Sequence, residues 1–517
     1  MQSIYEEDLF NAMGYFVSQD YRKALLIFKK ISDGYSEEIP KKKLEEIYVC
    51  MGECLQNIAD TKESITEKER LYKEGIEKIK KAVEINPKNG NAYFLWGNLL
   101  GSLADILDEV GMDNIDEHLY KQEKLYEESI EKYRKAAEFS KNDTLIYTNW
   151  GISLLNLAPL KGDIEDDERI CKEAIQKFEK AIEIDKYNDD AYFNWGVSLL
   201  NIFELKEDRD EEEKLCKEAI EKFKKVIEIS NENDAVYFNW GLSLLNIFEL
   251  KEDREEKEKL CKEAIEKFKK AIEINNENHA AYFNWKRCLE SLADIKEDVK
   301  EKERLYKEAI EKYQKLVEIN PNNGFTYYNW GHLLRKLAHL KNDKIEKEKI
   351  YNEAIKKYQK ADEFDNDFSF LYYSWGLCLI DLADIKEDTV EKEKLYNEAI
   401  EKYQKTIEID NSDDDAYYKL GLSLLEIADM KGNVEEKEKI LNETEENLIK
   451  CVKRGGSYYN LVKLCIITSR KDEAFQYMKQ ELKGEYSIFD HFENDKDFDS
   501  LRDDDRYKAL KEKCGNK

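Results

Sequence analysis

The chain has 517 residues, of which 38% are charged and 41% are hydrophobic, and its formal net charge is −29. This negative charge disfavours nucleic acids and anionic membrane surfaces as partners, because both carry negative charge themselves. No long apolar run and no signal segment occurs, so we expect a cytoplasmic protein whose ten cysteines stay reduced.

All seven tryptophans occupy the same place in a repeat. They are Trp96, Trp150, Trp195, Trp240, Trp285, Trp330 and Trp375, and the last six are spaced 45 residues apart. Met51 and Leu420 continue this register on either side. The step from Trp96 to Trp150 is nine residues longer, and we place the extra residues near 108–117. Such regular spacing is typical of a repeat protein.

Each repeat contains two helical segments. Apolar residues recur three and four positions apart in two blocks, as in "YFNWGLSLLNIF" and "KLCKEAIEKFKKAIEI". Between the blocks stands an Asp-x-x-Glu pattern, which is typical of the start of a helix because the aspartate side chain can accept a hydrogen bond from an unpaired backbone N–H. The aspartates are Asp208, Asp253, Asp298, Asp343 and Asp388. The sequence therefore predicts an all-α chain of helical hairpins.

The repeat resembles the tetratricopeptide repeat (TPR). Gly241, Ala264, Phe268 and Ala271 stand at the small and aromatic positions that the family favours. The family unit has 34 residues, so the present unit is 11 residues longer, which is about three turns of helix. The resemblance implies an α-solenoid of about eleven antiparallel hairpins with a C-terminal cap.

The chain divides into four segments on this basis. Residues 1–44 hold a short TPR-like hairpin, 45–455 hold the elongated repeats, and 456–486 hold a second short hairpin. Residues 487–517 include "DFDSLRDDDR", which resembles the closing segment of bacterial TPR arrays. We expect this last segment to cap the solenoid, because a terminal repeat otherwise exposes an apolar face.

Catalytic and metal-binding patterns are not evident. The chain lacks a glycine-rich phosphate loop, a G-x-S-x-G element and an H-E-x-x-H element, so we predict neither an enzyme nor a cofactor. Cys171, Cys216 and Cys261 also recur every 45 residues, but tyrosine takes their place in other repeats and cannot replace a thiolate as a zinc ligand. We interpret them as packing residues.

The resemblance places the first helix of each hairpin on the inner wall of a groove. It assigns to this wall the residues one and two before each tryptophan and those two, five and six after it, which we call the inner-wall positions. Carboxamides and aromatic rings at these positions predict a peptide-binding groove. The candidate residues are Asn149, Asn194, Asn239, Asn284, Asn329, Phe193, Phe238, Phe283, Tyr328 and Tyr373.

A basic group stands out among these positions. It consists of Arg287, His332, Arg335 and Lys336, and it predicts a site for an anion or a carboxylate. Lys286 precedes Arg287 and replaces the glycine that follows the tryptophan in the neighbouring repeats. We expect its long side chain to reach solvent.

The sequence thus predicts a non-enzymatic scaffold that binds proteins or peptides, among them acidic ones. Two alternatives remain open: a co-chaperone-like adaptor for an acidic C-terminal peptide, and a structural protein that associates with copies of itself. An enzyme is the third and least favoured class, because no acid, base and nucleophile converge in the sequence.

Overall fold

The computed structural model describes residues 4–107, 115–230, 233–432, 434–453, 457–482 and 489–515. The nine-residue extension predicted near 108–117 falls largely outside these ranges. Within them the chain is all-α, and it divides into two compact units, residues 1–281 and 282–517. No described helix combines the length and the apolar character needed to cross a bilayer.

The first unit is a stack of six helical hairpins. Each hairpin packs against the next through its second helix. The helices are α1 (Ile4–Val17), α2 (Tyr21–Gly34), α3 (Lys41–Asp60), α4 (Ile65–Ile85), α5 (Gly90–Asp105), α6 (Ile115–Phe139), α7 (Thr144–Leu157), α8 (Ile164–Ile184), α9 (Asp189–Glu204), α10 (Arg209–Ile229), α11 (Asp234–Leu250) and α12 (Arg254–Ile274).

The second unit continues the same architecture and begins within helix α13. Its helices are α13 (His279–Ile295), α14 (Val299–Ile319), α15 (Gly324–His339), α16 (Lys344–Phe364), α17 (Ser369–Ile385), α18 (Thr389–Ile409), α19 (Asp414–Met430), α20 (Val434–Lys453), α21 (Tyr459–Ile467), α22 (Lys471–Glu481), α23 (Phe489–Asn494), α24 (Asp499–Arg502) and α25 (Asp505–Gly515). The described helices thus form eleven successive pairs and a terminal group, which matches the predicted solenoid.

The segment after α22 covers the last hairpin. Phe492, Phe498 and Leu501 are fully buried in one cluster with Val462 and Phe475. Lys463 of α21 also pairs with Asp495 and Asp497, at 2.8 Å in each case. The apolar face of the last hairpin is therefore not left to solvent.

The predicted helix starts are confirmed. The carboxylates of Asp208, Asp253, Asp298, Asp343 and Asp388 accept hydrogen bonds from the backbone N–H three residues later, at 2.8–2.9 Å. Asparagine caps several first helices in the same way, as at Asn188 and Asn323, which the sequence analysis did not predict. These side-chain caps fix where the helices that follow them begin.

A lysine just before the second helix joins consecutive hairpins. In the first unit Lys206 contacts Glu168 of the preceding hairpin at 2.7 Å, and Lys251 contacts Glu213 at 2.8 Å. In the second unit Lys341 contacts Glu303 at 2.8 Å, and Lys386 contacts Glu348 at 2.7 Å. We call these contacts the lysine bridges. They recur at 45-residue steps in the middle of each unit, so the same kind of ion pair joins several consecutive hairpins.

Glycine after the tryptophan allows an aromatic ring of the second helix to lie against the first. A Cβ atom at Gly241 would stand only 2.7 Å from the ring of Phe268, and one at Gly331 only 2.8 Å from the ring of Tyr358. Any larger side chain would force these helices apart. This close approach explains the repeated glycine and makes Lys286 the exception to be explained.

Candidate functional site

A polar cavity of about 220 Å³ opens on the first unit between α3, α5, α6 and α7. Six of its lining residues stand at inner-wall positions of the hairpins that carry Trp96 and Trp150. They are Asn98, Gly101 and Ser102, followed by Asn149, Ile152 and Asn156. Gln56, Asp105, Tyr126, Tyr133 and Ser153 complete the wall. The positions selected from the sequence thus line one cavity here.

Hydrogen bonds fix the orientation of the cavity wall. Asn98 Oδ1 accepts from the Tyr133 hydroxyl at 2.8 Å and from Asn149 Nδ2 at 2.9 Å. The Tyr126 hydroxyl donates to Asp105 Oδ1 at 2.5 Å and accepts from Asn156 Nδ2 at 3.4 Å. Because both groups of contacts tie side chains of different helices, the wall is organised before any ligand arrives.

The other candidate asparagines use part of their hydrogen-bonding capacity within their own helix. Asn194, Asn239 and Asn329 each donate one N–H to the carbonyl four residues earlier, at 2.8 Å. A carboxamide has two N–H donors and an acceptor oxygen, so this bond orients the group without using it fully. Asn284 is buried, with 9% of its surface exposed, so it is less accessible than the others.

The candidate aromatic side chains pack against the second helix on one side. The ring of Phe193 lies 6.1 Å from that of Phe223, Phe238 lies 6.1 Å from Phe268, and Tyr373 lies 5.9 Å from Tyr403. All three remain only half-buried. Their rings therefore contribute to the hairpin core while part of each surface stays at the inner-wall face.

Lys286 is buried, so the expectation that it reaches solvent is wrong. Only 5% of its surface is exposed. Its Nζ atom lies 3.7 Å from Glu290 Oε2 and 4.5 Å from the centre of the Phe283 ring. Burial lowers the pKa of Lys286, and Glu290 opposes this shift. Tyr313 is the counterpart of Phe268 and Tyr358, whose rings lie against the glycine in other hairpins. Its hydroxyl donates a hydrogen bond to Glu290 Oε1 at 2.8 Å.

Two cations of the predicted basic group, Arg335 and Lys336, form ion pairs with carboxylates of the same unit. Arg335 Nε contacts Asp381 Oδ2 of the next hairpin at 2.5 Å, and Lys336 Nζ contacts Asp294 Oδ2 of the preceding one at 3.2 Å. His339 Nε2 lies 2.8 Å from the same oxygen of Asp381. Burial alone would raise the pKa of Asp381, but the bond to His339 and the charge of Arg335 hold it below its usual value.

His332 adds no positive charge to this group at neutral pH. Burial lowers its pKa to about 4, and the charges of Lys336 and Arg335 act in the same direction. The fourth member, Arg287, lies half-buried on α13. The group that the sequence presented as four cations thus contains a neutral imidazole and two cations already in ion pairs.

Two family models match parts of the chain. The model of the TPR repeat matches residues 393–427, which form the second helix of one hairpin and the first helix of the next. The chain is a tetratricopeptide-repeat protein. The model of the plant-specific mitochondrial import receptor subunit TOM20 matches residues 116–239 and 230–330, so this part of the TPR array is also similar to that receptor.

Several solved structures, TPR proteins among them, are similar at low identity. YrrB, a TPR protein with an unusual peptide-binding site, is 21% identical over 47% of this chain and 96% of its own, with a TM-score of 0.30. The C-terminal part of a TPR protein from Cytophaga hutchinsonii is 16% identical over 62% and 97%, with a TM-score of 0.39. The human IFIT1 dimer with m7Gppp-AAAA is 14% identical over 86% and 81%, with a TM-score of 0.35. No curated protein matches the sequence.

A further TPR-array feature escaped the sequence analysis, although its spacing is regular. A lysine of the second helix lies over each tryptophan ring at 3.4–4.7 Å from its centre. The lysines are Lys132, Lys177, Lys222, Lys267, Lys312, Lys357 and Lys402. They recur every 45 residues, as the last six tryptophans do, and this shared period is the signal that could have revealed them. Cation–π contact of this kind stabilises the hairpin.

The recurring cysteines are buried packing residues, as predicted. Cys171, Cys216 and Cys261 have at most 1% of their surface exposed. Burial raises the pKa of Cys171 and Cys216 to about 12, so these thiols are protonated at neutral pH. In the hairpins of Cys216 and Cys261, Phe203 and Phe248 stand where the repeats with tyrosine carry alanine, so in these two hairpins a larger residue on the first helix accompanies the smaller one on the second.

Proposed function

We propose that this TPR protein is a non-enzymatic scaffold that holds extended peptide segments of partner proteins along the inner-wall positions. TPR proteins are in general scaffolds for protein–protein interaction, which supports the broad class. The observation that carries the finer proposal is the cavity of the first unit, because it gathers inner-wall residues of two consecutive hairpins. A cytoplasmic location remains part of the proposal.

The chemistry of the inner-wall face suits a peptide backbone. Carboxamides offer both donors and acceptors, which matches the alternating N–H and C=O groups of an extended chain. Half-buried rings such as Phe193 and Phe238 offer apolar surface for its side chains. Each hydrogen bond contributes only about 0.5–1.5 kcal/mol, so several hairpins have to act together.

The test starts with peptides selected from a random 12-residue phage library on the full chain. Their affinities are then measured by fluorescence anisotropy. We expect Asn149→Ala with Asn194→Ala to weaken binding about tenfold, since two hydrogen bonds of about 0.7 kcal/mol each are lost. Lys180→Ala is the control, because Lys180 lies on the outer side of α8 in an exposed pair with Glu183. Absence of any selected peptide, or equal loss in the control, would contradict the proposal.

An acidic partner would have to compete with carboxylates of the protein itself. Arg335 and Lys336 are paired with Asp381 and Asp294, so a ligand carboxylate gains a cation only by displacing one of them. If the anion site operates, Asp381→Asn should strengthen binding of a peptide with an acidic C-terminus, and Arg335→Ala should abolish it. Unchanged affinity in both variants would leave peptide binding without an anion site.

A further inference from the structure

A second cavity of the first unit lies between α1, α2, α3 and the start of α5, and it has a volume of about 390 Å³. We call it the apolar cavity, because much of its lining consists of Leu9, Met13, Phe28, Ile47 and Val49. Its wall is completed by Cys50 and the polar residues Lys43, Glu46, Glu53, Asn89 and Asn91. Sites for small ligands occupy roughly 300–1,000 Å³, so this cavity is large enough to enclose a bulky apolar side chain.

The apolar cavity belongs to the inner-wall face. Met51 takes the place of the tryptophan in this hairpin. Counted from it, the inner-wall positions in the cavity are Val49, Cys50 and Glu53. Gln56 stands five residues after Met51 on the same helix, and it lines the polar cavity. A peptide that lies along the inner-wall positions would therefore pass both cavities.

Glu53 is a half-buried carboxylate without a counter-charge. Within the described part of the chain, no residue forms an ion pair with it or donates a hydrogen bond to its side chain. Burial raises the pKa of Glu53. The charges of Lys43 and Glu46, which stand three residues apart on the same wall, offset each other. The described wall thus keeps one negative charge, which a cation of the ligand would offset.

This charge lies close to the apolar lining. Ile47, Cys50 and Glu53 follow one another at three-residue steps along α3, so they share one face of the helix. Glu53 is therefore about one turn, roughly 5 Å, from Cys50 along the helix axis. A ligand that fills the lining and also offsets Glu53 has to carry its apolar group and its cation close together.

An extended peptide meets this requirement best at its amino-terminal residue. Successive side chains of an extended chain point to opposite sides, so a lysine next to an internal leucine would face away from the cavity. An amino-terminal residue carries its ammonium group and its side chain on the same Cα atom. Both groups can therefore face one cavity.

We propose that the apolar cavity takes up the amino-terminal residue of the bound peptide when that residue has a large apolar side chain. The side chain lies among Leu9, Met13 and Phe28, and the α-ammonium group pairs with Glu53. The inference rests on the proposed function, because it assigns one anchor of the peptide to one place on the inner-wall face. It also sets the direction of the peptide, which continues from this anchor toward the polar cavity.

Saturation-transfer NMR on the full chain tests this residue apart from any longer peptide. The probes are phenylalanine amide, N-acetyl-phenylalanine amide, which keeps the ring without the charge, and alanine amide, which keeps the charge without the ring. At about pH 6.5 an α-amino group is largely charged, since its pKa is about 7.7–8.0. We expect transfer to phenylalanine amide and at least fivefold weaker transfer to each of the other probes. Transfer to either of them that equals that of phenylalanine amide would overturn the proposal.

Glu53→Gln removes the charge and keeps the shape of the side chain. Transfer to phenylalanine amide should fall at least fivefold, while transfer to the acetylated probe should not change. The variant should be no less stable than the wild type in thermal unfolding, because burial penalises the charged form of this carboxylate. Glu77→Gln is the matched control, since Glu77 lies on α4 in an exposed pair with Lys80. A signal that survives in Glu53→Gln, or falls equally in Glu77→Gln, would contradict the proposal.

Met13→Ser tests the apolar side of the cavity. Met13 is 40% exposed on α1, so its replacement should leave the core intact. Transfer to phenylalanine amide should fall at least threefold, because part of the apolar lining is lost. Phe10→Ser is the matched control, since Phe10 is 80% exposed on the same helix and is not among the described residues that line the cavity. Equal loss in the two variants would indicate general attraction to an apolar surface and would count against the site.

Failure of this inference can be distinguished from failure of the proposed function. If peptides from the phage library bind but phenylalanine amide does not, only this inference fails. If no library peptide binds, the proposed function fails, and this inference fails with it.

Discussion

Lys286 and Glu290 show how one hairpin accommodates a charge at its tightest contact. In the preceding hairpin a glycine and an apolar residue, Gly241 and Leu245, stand at these two positions. Here a buried lysine, a glutamate and the hydroxyl of Tyr313 satisfy one another. In contrast, the hydroxyls of Tyr358 and Tyr403 have no hydrogen-bond partner within the described part of the chain. The two charges therefore belong to the hairpin core and not to a ligand site.

His332 should make the stability of the second unit depend on pH. Its pKa is about 4 in the folded protein and near 6.5 in an unfolded chain, so the unfolded state takes up the proton first as the pH falls. The contribution of His332 to stability is complete above about pH 6.5 and is lost as the pH falls toward 4. From a pKa difference of this size we expect a loss of about 3 kcal/mol.

Denaturant unfolding at several pH values, with His332→Gln as the reference, measures this effect. The difference in unfolding free energy between the two proteins should shift against the wild type between pH 6.5 and pH 4. Comparing the two proteins cancels the titration of the many carboxylates they share. A difference that stays constant with pH would show that the imidazole is not buried as described.

At the scale of elements, the lysine bridges are the contacts that tie hairpins together. Lys341 is 8% exposed, and its Nζ atom lies 2.8 Å from Glu303 and 2.6 Å from Glu346. These partners belong to α14 and α16, so one ammonium group joins the helices on either side of α15. A surface pair within one helix, such as Lys315 with Glu318, joins nothing beyond its own turn.

Lys341→Met should lower the stability of the second unit by about 1–2 kcal/mol, because two partly shielded ion pairs are lost together. Lys315→Met should cost no more than about 0.5 kcal/mol, since exposed pairs within a helix contribute little. Hydrogen exchange of the α14 and α16 amides, followed by mass spectrometry, checks both variants. Equal protection in the two variants would contradict a special role for the lysine bridges.

The sequence predicted the helices and their starts well because both depend on local chemistry. The 45-residue period fixes the hairpins, and Asp208 and its counterparts cap the second helices as expected. The environment of the cations was not predictable in this way. Asp381, which pairs with Arg335, lies 46 residues away in sequence, and only the stacking of hairpins brings the two together. The polar wall around Asp105 likewise depends on four helices.

At the scale of the whole molecule, equivalent contacts between consecutive hairpins should allow a whole repeat to be removed without loss of the fold. Deletion of residues 206–250 removes one repeat length from the first unit and joins Leu205 to Lys251. Lys251 then stands where Lys206 stood and can pair with Glu168, while Phe268 takes the place of Phe223 against Gly196. We therefore expect a folded protein with one hairpin fewer.

Circular dichroism checks this expectation through the helix content per residue and the melting temperature. Both should remain close to those of the full chain after deletion of residues 206–250. Deletion of residues 206–228 is the control, because it removes the cap at Asp208 and leaves a helix out of register. If the whole-repeat deletion unfolds as readily as the control, the hairpin interfaces are not interchangeable.

The lysine bridges also bear on how such a chain can change in length over evolutionary time. An unequal crossover between two gene copies shifts the coding sequence by whole repeats when the pairing regions are nearly alike, as around Trp195 and Trp240. The inserted segment would bring its own lysine for the hairpin before it and its own glutamate for the hairpin after it. A recombinant of this kind would fold without any compensating mutation, so length itself becomes a trait that selection can adjust one hairpin at a time.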